Sequence, residues 1–273
     1  MNIHEYIYGP EGERPLDRIV TDGGFFGIFR TVACIGDSLA SGEFESDGKN
    51  GITRWHDYYE YSWGQYIGRS AGCKVYNFSR GGMTAREYMT SFADQNGFWD
   101  NRCKECQAFL IALGVNDIVN QKMPVGSVDD WSGSEEKSGN CKENITNEAQ
   151  SFAYYYAQII EKIKSIQPRA KIFLIGMPQH DDERDEGRRA VRDLLEAFTR
   201  KYSRTYLVDL FTYAPSNGGD FGDRFWFGHL SPAGYIVAAR MIESYIDFII
   251  RHHPKDFAQV GFIGTDLYYQ PEE

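Results

Sequence analysis

Four groups scattered along this sequence are of the types that acyl transfer requires. Ser38 stands in Gly36-Asp37-Ser38-Leu39, directly after the apolar run Thr31–Ile35 (TVACI). That places a hydroxyl at the carboxyl end of a buried strand, where a nucleophile can sit on a rigid support. A serine that only satisfies backbone amides at a strand-to-helix turn fits the same tetrapeptide. His229 precedes Leu230-Ser231-Pro232-Ala233-Gly234. Ser231 suits a helix N-cap and Pro232 a first helical turn, so the imidazole is fixed just outside a helix, where it could accept a hydroxyl proton or serve structure alone. The glycine pair Gly81-Gly82, after the apolar stretch containing Val75, permits a tight turn and could also aim the Gly82 amide at an oxyanion. Asn116, in Gly114-Val115-Asn116-Asp117, offers a carboxamide donor that cannot be deprotonated, or a simple turn cap.

The elements that would position these groups are legible from apolar patterning. Strand-like runs occur at Thr31–Ile35, around Val75, at Ala108–Leu113, Lys171–Ile175 and Thr205–Leu210. Their short, nearly continuous apolar character favours buried parallel strands. Helical stripes lie between and after them: Tyr59, Trp63 and Tyr66; Phe152, Tyr156, Ile159, Ile163 and Ile166; Val191, Leu194, Leu195, Phe198 and Tyr202; and Tyr235, Ala239, Ile242, Ile246 and Ile249. The alternation predicts an α/β chain: a three-layer α/β/α sandwich around a central parallel sheet of about five strands, with chemistry in the loops at the strands' carboxyl ends. One domain over 1–273 is expected, with an N-terminal extension at 1–30, a long surface loop at 118–147 and a C-terminal extension at 251–273.

Taken in order, GDSL at 36–39, the block around Asn77 and Gly82, GVND at 114–117 and GHLSPAG at 228–234 make the chain resemble the GDSL or SGNH hydrolase family over about residues 31–250. The resemblance implies a flavodoxin-like SGNH-hydrolase fold. It also implies that Ser38 is the nucleophile, that Gly82, Asn116 and the Ser38 amide are oxyanion donors, and that His229 is the base. One position departs from the family pattern: Trp226 stands where an aspartate usually orients the histidine. Asp223, Asp220 or a backbone carbonyl is then expected to receive the other ring proton, supporting a Ser–His dyad, with Trp226 as packing or pocket wall. Asp37 and Asp117 are expected to give local hydrogen-bond support. No metal or other cofactor is expected.

The reaction expected is hydrolysis of short-acyl carboxylic esters through an acyl-serine. Deacetylation of O-acetyl carbohydrates is the alternative, and a noncatalytic carbohydrate-binding protein is the reading from a different class. Trp55, Tyr58 and Trp226 are candidate substrate contacts, while Tyr59 and Trp63, four apart on a helix, suit packing. A small ester or acetylated carbohydrate is therefore the expected partner. The formal charge of −10 provides no footprint for nucleic acid or anionic lipid. No apolar stretch is long enough to span a bilayer, and the start lacks the features of a secretion signal, which points to the cytoplasm. The five cysteines are too few and too odd in number for a disulfide scaffold, and Cys103-x-x-Cys106 reads as free thiols rather than a metal or redox pair. The sequons at Asn77 and Asn144 carry no assigned role, and nothing in the pattern selects an oligomeric state.

Overall fold

The computed structural model describes residues 3–100, 103, 106–132 and 150–261. Five strands, β1 (Thr31–Gly36), β4 (Lys74–Ser79), β5 (Ala108–Ala112), β6 (Lys171–Ile175) and β7 (Thr205–Val208), form one parallel sheet in the order β4-β1-β5-β6-β7. The period-two alternation of a strand divides its side chains between two cores. Ala33, Ile35, Phe109, Ile111, Ile172 and Leu174 face the helices Phe152–Ile166 and Asp185–Lys201. Val32, Cys34, Ala108, Leu110, Phe173 and Ile175 face the helices Trp63–Ala71 and Pro232–His252. Both layers bury apolar faces, which is why these strands read as continuous apolar runs. The layers form the α/β/α sandwich around a parallel five-strand sheet that the sequence predicts.

Differences from expectation fall at element ends. The fifth sheet strand stops at Val208, and Asp209 instead caps a helical turn, Leu210–Tyr213, by accepting from the Thr212 amide. The stretch expected as loop from 118 onward begins inside a π-helical turn, Val115–Asn120, and Met123 is buried. Residues 133–149, which include the Asn144 sequon, lie outside the described residues. The last helix, Pro232–His252, takes in the first two residues of the expected C-terminal extension at 251–273. Two short antiparallel pairs were not anticipated. β2 (Glu43–Asp47) and β3 (Thr53–Asp57) form a hairpin after the Ser38 turn, and β8 (Trp226–Phe227) pairs with β9 (His229–Leu230).

Cys103 and Cys106 are buried, and burial pushes the Cys103 thiol up to about 12, away from thiolate chemistry. Asn77 lies on β4 with its side-chain oxygen accepting from the Ser79 amide. Among the described residues, no helix is long and apolar enough to cross a membrane.

The segment before β1 is held to the last helix by a buried charge cluster. Arg251 donates to both Glu13 carboxylate oxygens at 2.7 and 3.1 Å, to Asp247 at 2.8 Å and to the Ile7 carbonyl at 3.0 Å. Asp247 in turn accepts from the Phe25 amide at 2.7 Å. The Arg251, Glu13 and Asp247 side chains are each no more than 3% exposed. Removing the cation strands two carboxylates away from water, so Arg251→Met is expected to cost about 3–5 kcal/mol of stability, read from urea unfolding.

Candidate active site

Parallel pairing brings the predicted chemistry to one edge of the sheet. Gly36, at the end of β1, is in register with Ser79 on one side and Ala112 on the other, so three loops leave the sheet at one level. A side chain at Gly36 would meet Ala40 Cβ at 2.4 Å and the Ala112 carbonyl at 2.9 Å, which is why the Ser38 turn opens on glycine. Ser38 begins a one-turn helix, Ser38–Ser41, whose N-cap Asp37 accepts from the Leu39 amide at 3.2 Å. Gly82 adopts φ +72° with open space where a Cβ would stand, so the conformation rather than the room requires glycine there. Asn116 sits on the turn after β5 and donates one amide hydrogen to the Met83 carbonyl at 3.1 Å. A carboxamide has a second donor that this bond leaves available.

Two carboxylates staple these loops together. Asp117, fully buried, accepts from the Ala85 amide through both oxygens, at 3.0 and 3.1 Å, tying the Asn116 turn to the segment after Gly82. Asp57, from β3, accepts from the Ser41 hydroxyl and from the Gly81 amide at 3.1 Å, tying the Ser38 helix to the glycine turn. Asp37 and Asp117 therefore act through local backbone bonds.

His229 lies on β9, and Ser231 caps the final helix by accepting from the Gly234 amide at 3.1 Å with Pro232 in the first turn. Its ring is bracketed by two carboxylates from the β2 hairpin. Nδ1 is 2.9 Å from Glu45 Oε1, and Nε2 is 3.2 Å from Glu43 Oε1. Asp220 and Asp223 lie exposed on the helix Asp220–Phe225, and neither is among the hydrogen-bond partners found for the ring within the described residues. Trp226 lies nearly parallel to the imidazole, at 18° and 6.4 Å between centroids, and meets His180 edge-on at 5.0 Å.

A cavity of about 750 Å³ is lined jointly by Ser38, Gly82, Asn116 and His229. Trp55, 60% exposed, and Trp226 form part of its wall, whereas Tyr58 lies outside it, tilted against Phe44 and His56. Trp63 reaches the cavity but is buried in the helix-sheet core. The lining also includes Glu43, His180 and Asn217, which sequence reasoning missed. A signal for the first existed: Glu43-Phe44-Glu45 alternates acid, aromatic, acid just past Ser38, so on a strand both acidic side chains share one face.

A protein-family model, the GDSL-like Lipase/Acylhydrolase family, matches residues 34–237. The chain belongs to this family. Among solved structures, it is similar to a family two carbohydrate esterase from Clostridium thermocellum in complex with cellohexaose. The TM-score is 0.51 at 16% identity, covering 83% of this chain and 65% of that one. An active-site mutant of a family two carbohydrate esterase from the same organism gives a TM-score of 0.53 at 15% identity, over 83% and 64% of the two chains. The crystal structure of TesA gives 0.50 at 15% identity, over 81% of this chain and 98% of that one. These identities are low enough that the likeness is one of fold. No curated protein matches the chain.

The site of this GDSL-family chain carries an electrostatic cost that pH can read. Burial, reinforced by Asp117 and Glu43 and opposed by the Leu39 amide bond, pushes the Asp37 carboxyl up to about 7 from its ordinary 3.8. The folded state then holds a proton that the unfolded state has released, so this contribution to stability is complete below pH 3.8 and is lost as pH rises through about 7. Asp37→Asn keeps a side-chain oxygen for the Leu39 amide and removes the titration. It is expected to be more stable than the wild type at pH 8, on the order of 2–4 kcal/mol, with the gap closing by pH 4. Thermal unfolding across that range checks it.

Proposed function

We propose that this GDSL-family chain is a serine esterase that hydrolyses short-acyl carboxylic esters through an acyl-serine intermediate. The observation that carries the reading is the sharing of one cavity wall by Ser38, Gly82, Asn116 and His229, groups drawn from four separate loops. Ser38 Oγ attacks the ester carbonyl carbon while His229 Nε2 takes its proton, and the carbonyl π electrons move onto oxygen. The Ser38 and Gly82 amides and the free Asn116 amide hydrogen donate to that oxyanion. Its collapse breaks the bond to the alkoxy oxygen, which leaves as the alcohol with the proton from His229. Water, deprotonated by His229, then attacks the acyl-serine, and the acid departs as Ser38 recovers its proton. Nε2 faces Glu43 at 3.2 Å, so the ring exchanges this carboxyl group for the serine hydroxyl as the ester binds.

The alcohol half of the substrate is best read as a carbohydrate. Trp55 stands 60% exposed at the cavity wall, an aromatic face suited to a sugar ring, and the Glu45 carboxylate beside the histidine disfavours an anionic leaving group. The fold likeness to carbohydrate esterases, one bound to cellohexaose, supports the same choice. An O-acetyl sugar combines both halves.

Hydrolysis of a short aryl ester by the whole chain tests the chemistry. Ser38→Ala and His229→Ala are each expected to lower kcat by at least about 10³-fold with folding retained, because members of such a unit fail together. A binding protein without turnover would show no wild-type hydrolysis to lose. With acetylated sugars, Trp55→Ala is expected to raise KM about tenfold, the loss of one aromatic contact, and to leave the aryl ester less affected. Equal effects on both substrates would argue against the carbohydrate.

A further inference from the structure

The β2 hairpin is pinned against the last helix by contacts that have no need of an acid. The Tyr235 hydroxyl donates to the Glu43 carbonyl at 2.8 Å, and the Phe44 ring meets Tyr235 edge-on at 5.5 Å. With Phe44 turned to Tyr235, strand alternation presents Glu43 and Glu45 together on the opposite face, toward His229.

The histidine loop is shaped to receive Glu45. A Cβ at Gly228 would lie 2.4 Å from the Glu45 carboxyl carbon and from both of its oxygens, and Gly228 holds φ +72°. The residue before the histidine is thus the one residue type that lets a carboxylate approach this closely. Trp226, meanwhile, lies alongside the imidazole and offers it no acceptor, since an indole only donates.

Resting on the catalytic reading of Ser38 and His229, we propose that Glu45 is the positioning acid of this site, accepting the His229 Nδ1 proton from a hairpin that follows the nucleophile rather than from the histidine's own loop. Glu45 holds the ring in the tautomer whose Nε2 is free to take the serine proton, and its charge faces the imidazolium formed during attack. It does not touch the substrate. Glu43, across the ring, is the resting partner of Nε2; burial and the neighbouring Asp57 and Glu45 carboxylates raise its carboxyl, against the opposing pull of His229. With the ring proton on Nδ1 facing Glu45, the 3.2 Å contact between Nε2 and Glu43 takes its proton from the Glu43 carboxyl.

The test uses the full chain with Glu45→Ala and Glu45→Asp beside Ser38→Ala. Glu45→Ala is expected to lower kcat for a short aryl ester between about 10²- and 10⁴-fold, with KM changed less than threefold and the unfolding midpoint retained. Glu45→Asp, which keeps the acceptor on a shorter arm, is expected to regain at least about tenfold of that loss. Nitrogen-15 NMR of the His229 ring gives a readout independent of turnover: Nδ1 protonated in the wild type, and a tautomer mixture or Nε2 protonation in Glu45→Ala. The inference is overturned if Glu45→Ala keeps kcat within threefold, if Glu45→Asp is no better than Glu45→Ala, or if the ring tautomer is unchanged. Should Ser38→Ala keep full activity, the catalytic reading itself fails. Should Ser38→Ala be inactive while Glu45→Ala is not, only the role of Glu45 falls.

Discussion

Everything in this site depends on β1 being paired in parallel on both sides. Because β1 lies between β4 and β5 with Gly36 in register with Ser79 and Ala112, three turns from distant parts of the chain emerge side by side. The connections then diverge. The helix after β1, Trp63–Ala71, covers one face of the sheet, and the helix after β5, Phe152–Ile166, covers the other. Loops that leave in opposite directions open a crevice between them, and the cavity with Ser38 and Asn116 in its wall occupies that position.

Holding the loops together puts negative charge inside the protein. Asp57 and Asp117 each bridge two segments by accepting backbone or hydroxyl protons, a job for which an anion is the strongest acceptor. The cost appears as raised carboxyls: burial pushes Asp117 up to about 6 even against bonds from Ala85 and Arg86, and Asp37 up to about 7. Glu43 is raised by burial as well. The imidazole stands 2.9 Å from Glu45, so in the proposed attack by serine the positive charge would form beside an acid already in place.

The motifs were legible where their geometry is local. The turn of Gly36-Asp37-Ser38-Leu39 is set by a bond between Asp37 and Leu39, and the cap before the last helix by Ser231 and Gly234, partners two and three residues apart. Strand positions were equally legible because burial on both faces leaves a continuous apolar run, as in Lys171–Ile175. The edges were less so. Asp209 ends the β7 run by capping a turn although Leu210 continues the apolar pattern, and the hairpin at 43–57 is too polar to read as part of a core.

The sequence by itself determined the layered α/β class, the family, and the candidate groups Ser38, Gly82, Asn116 and His229, since each is marked by its neighbours within a few residues. Which acids stand beside the histidine was a tertiary matter. Asp220 and Asp223 are near His229 along the chain, but their helix holds them in solvent. Glu43 and Glu45, 186 and 184 residues away by number, reach the ring because a tyrosine on the last helix anchors their hairpin and a glycine clears the approach. Hydrogen bonds are decided by distance in space, and only the folded chain turns sequence separation into that distance.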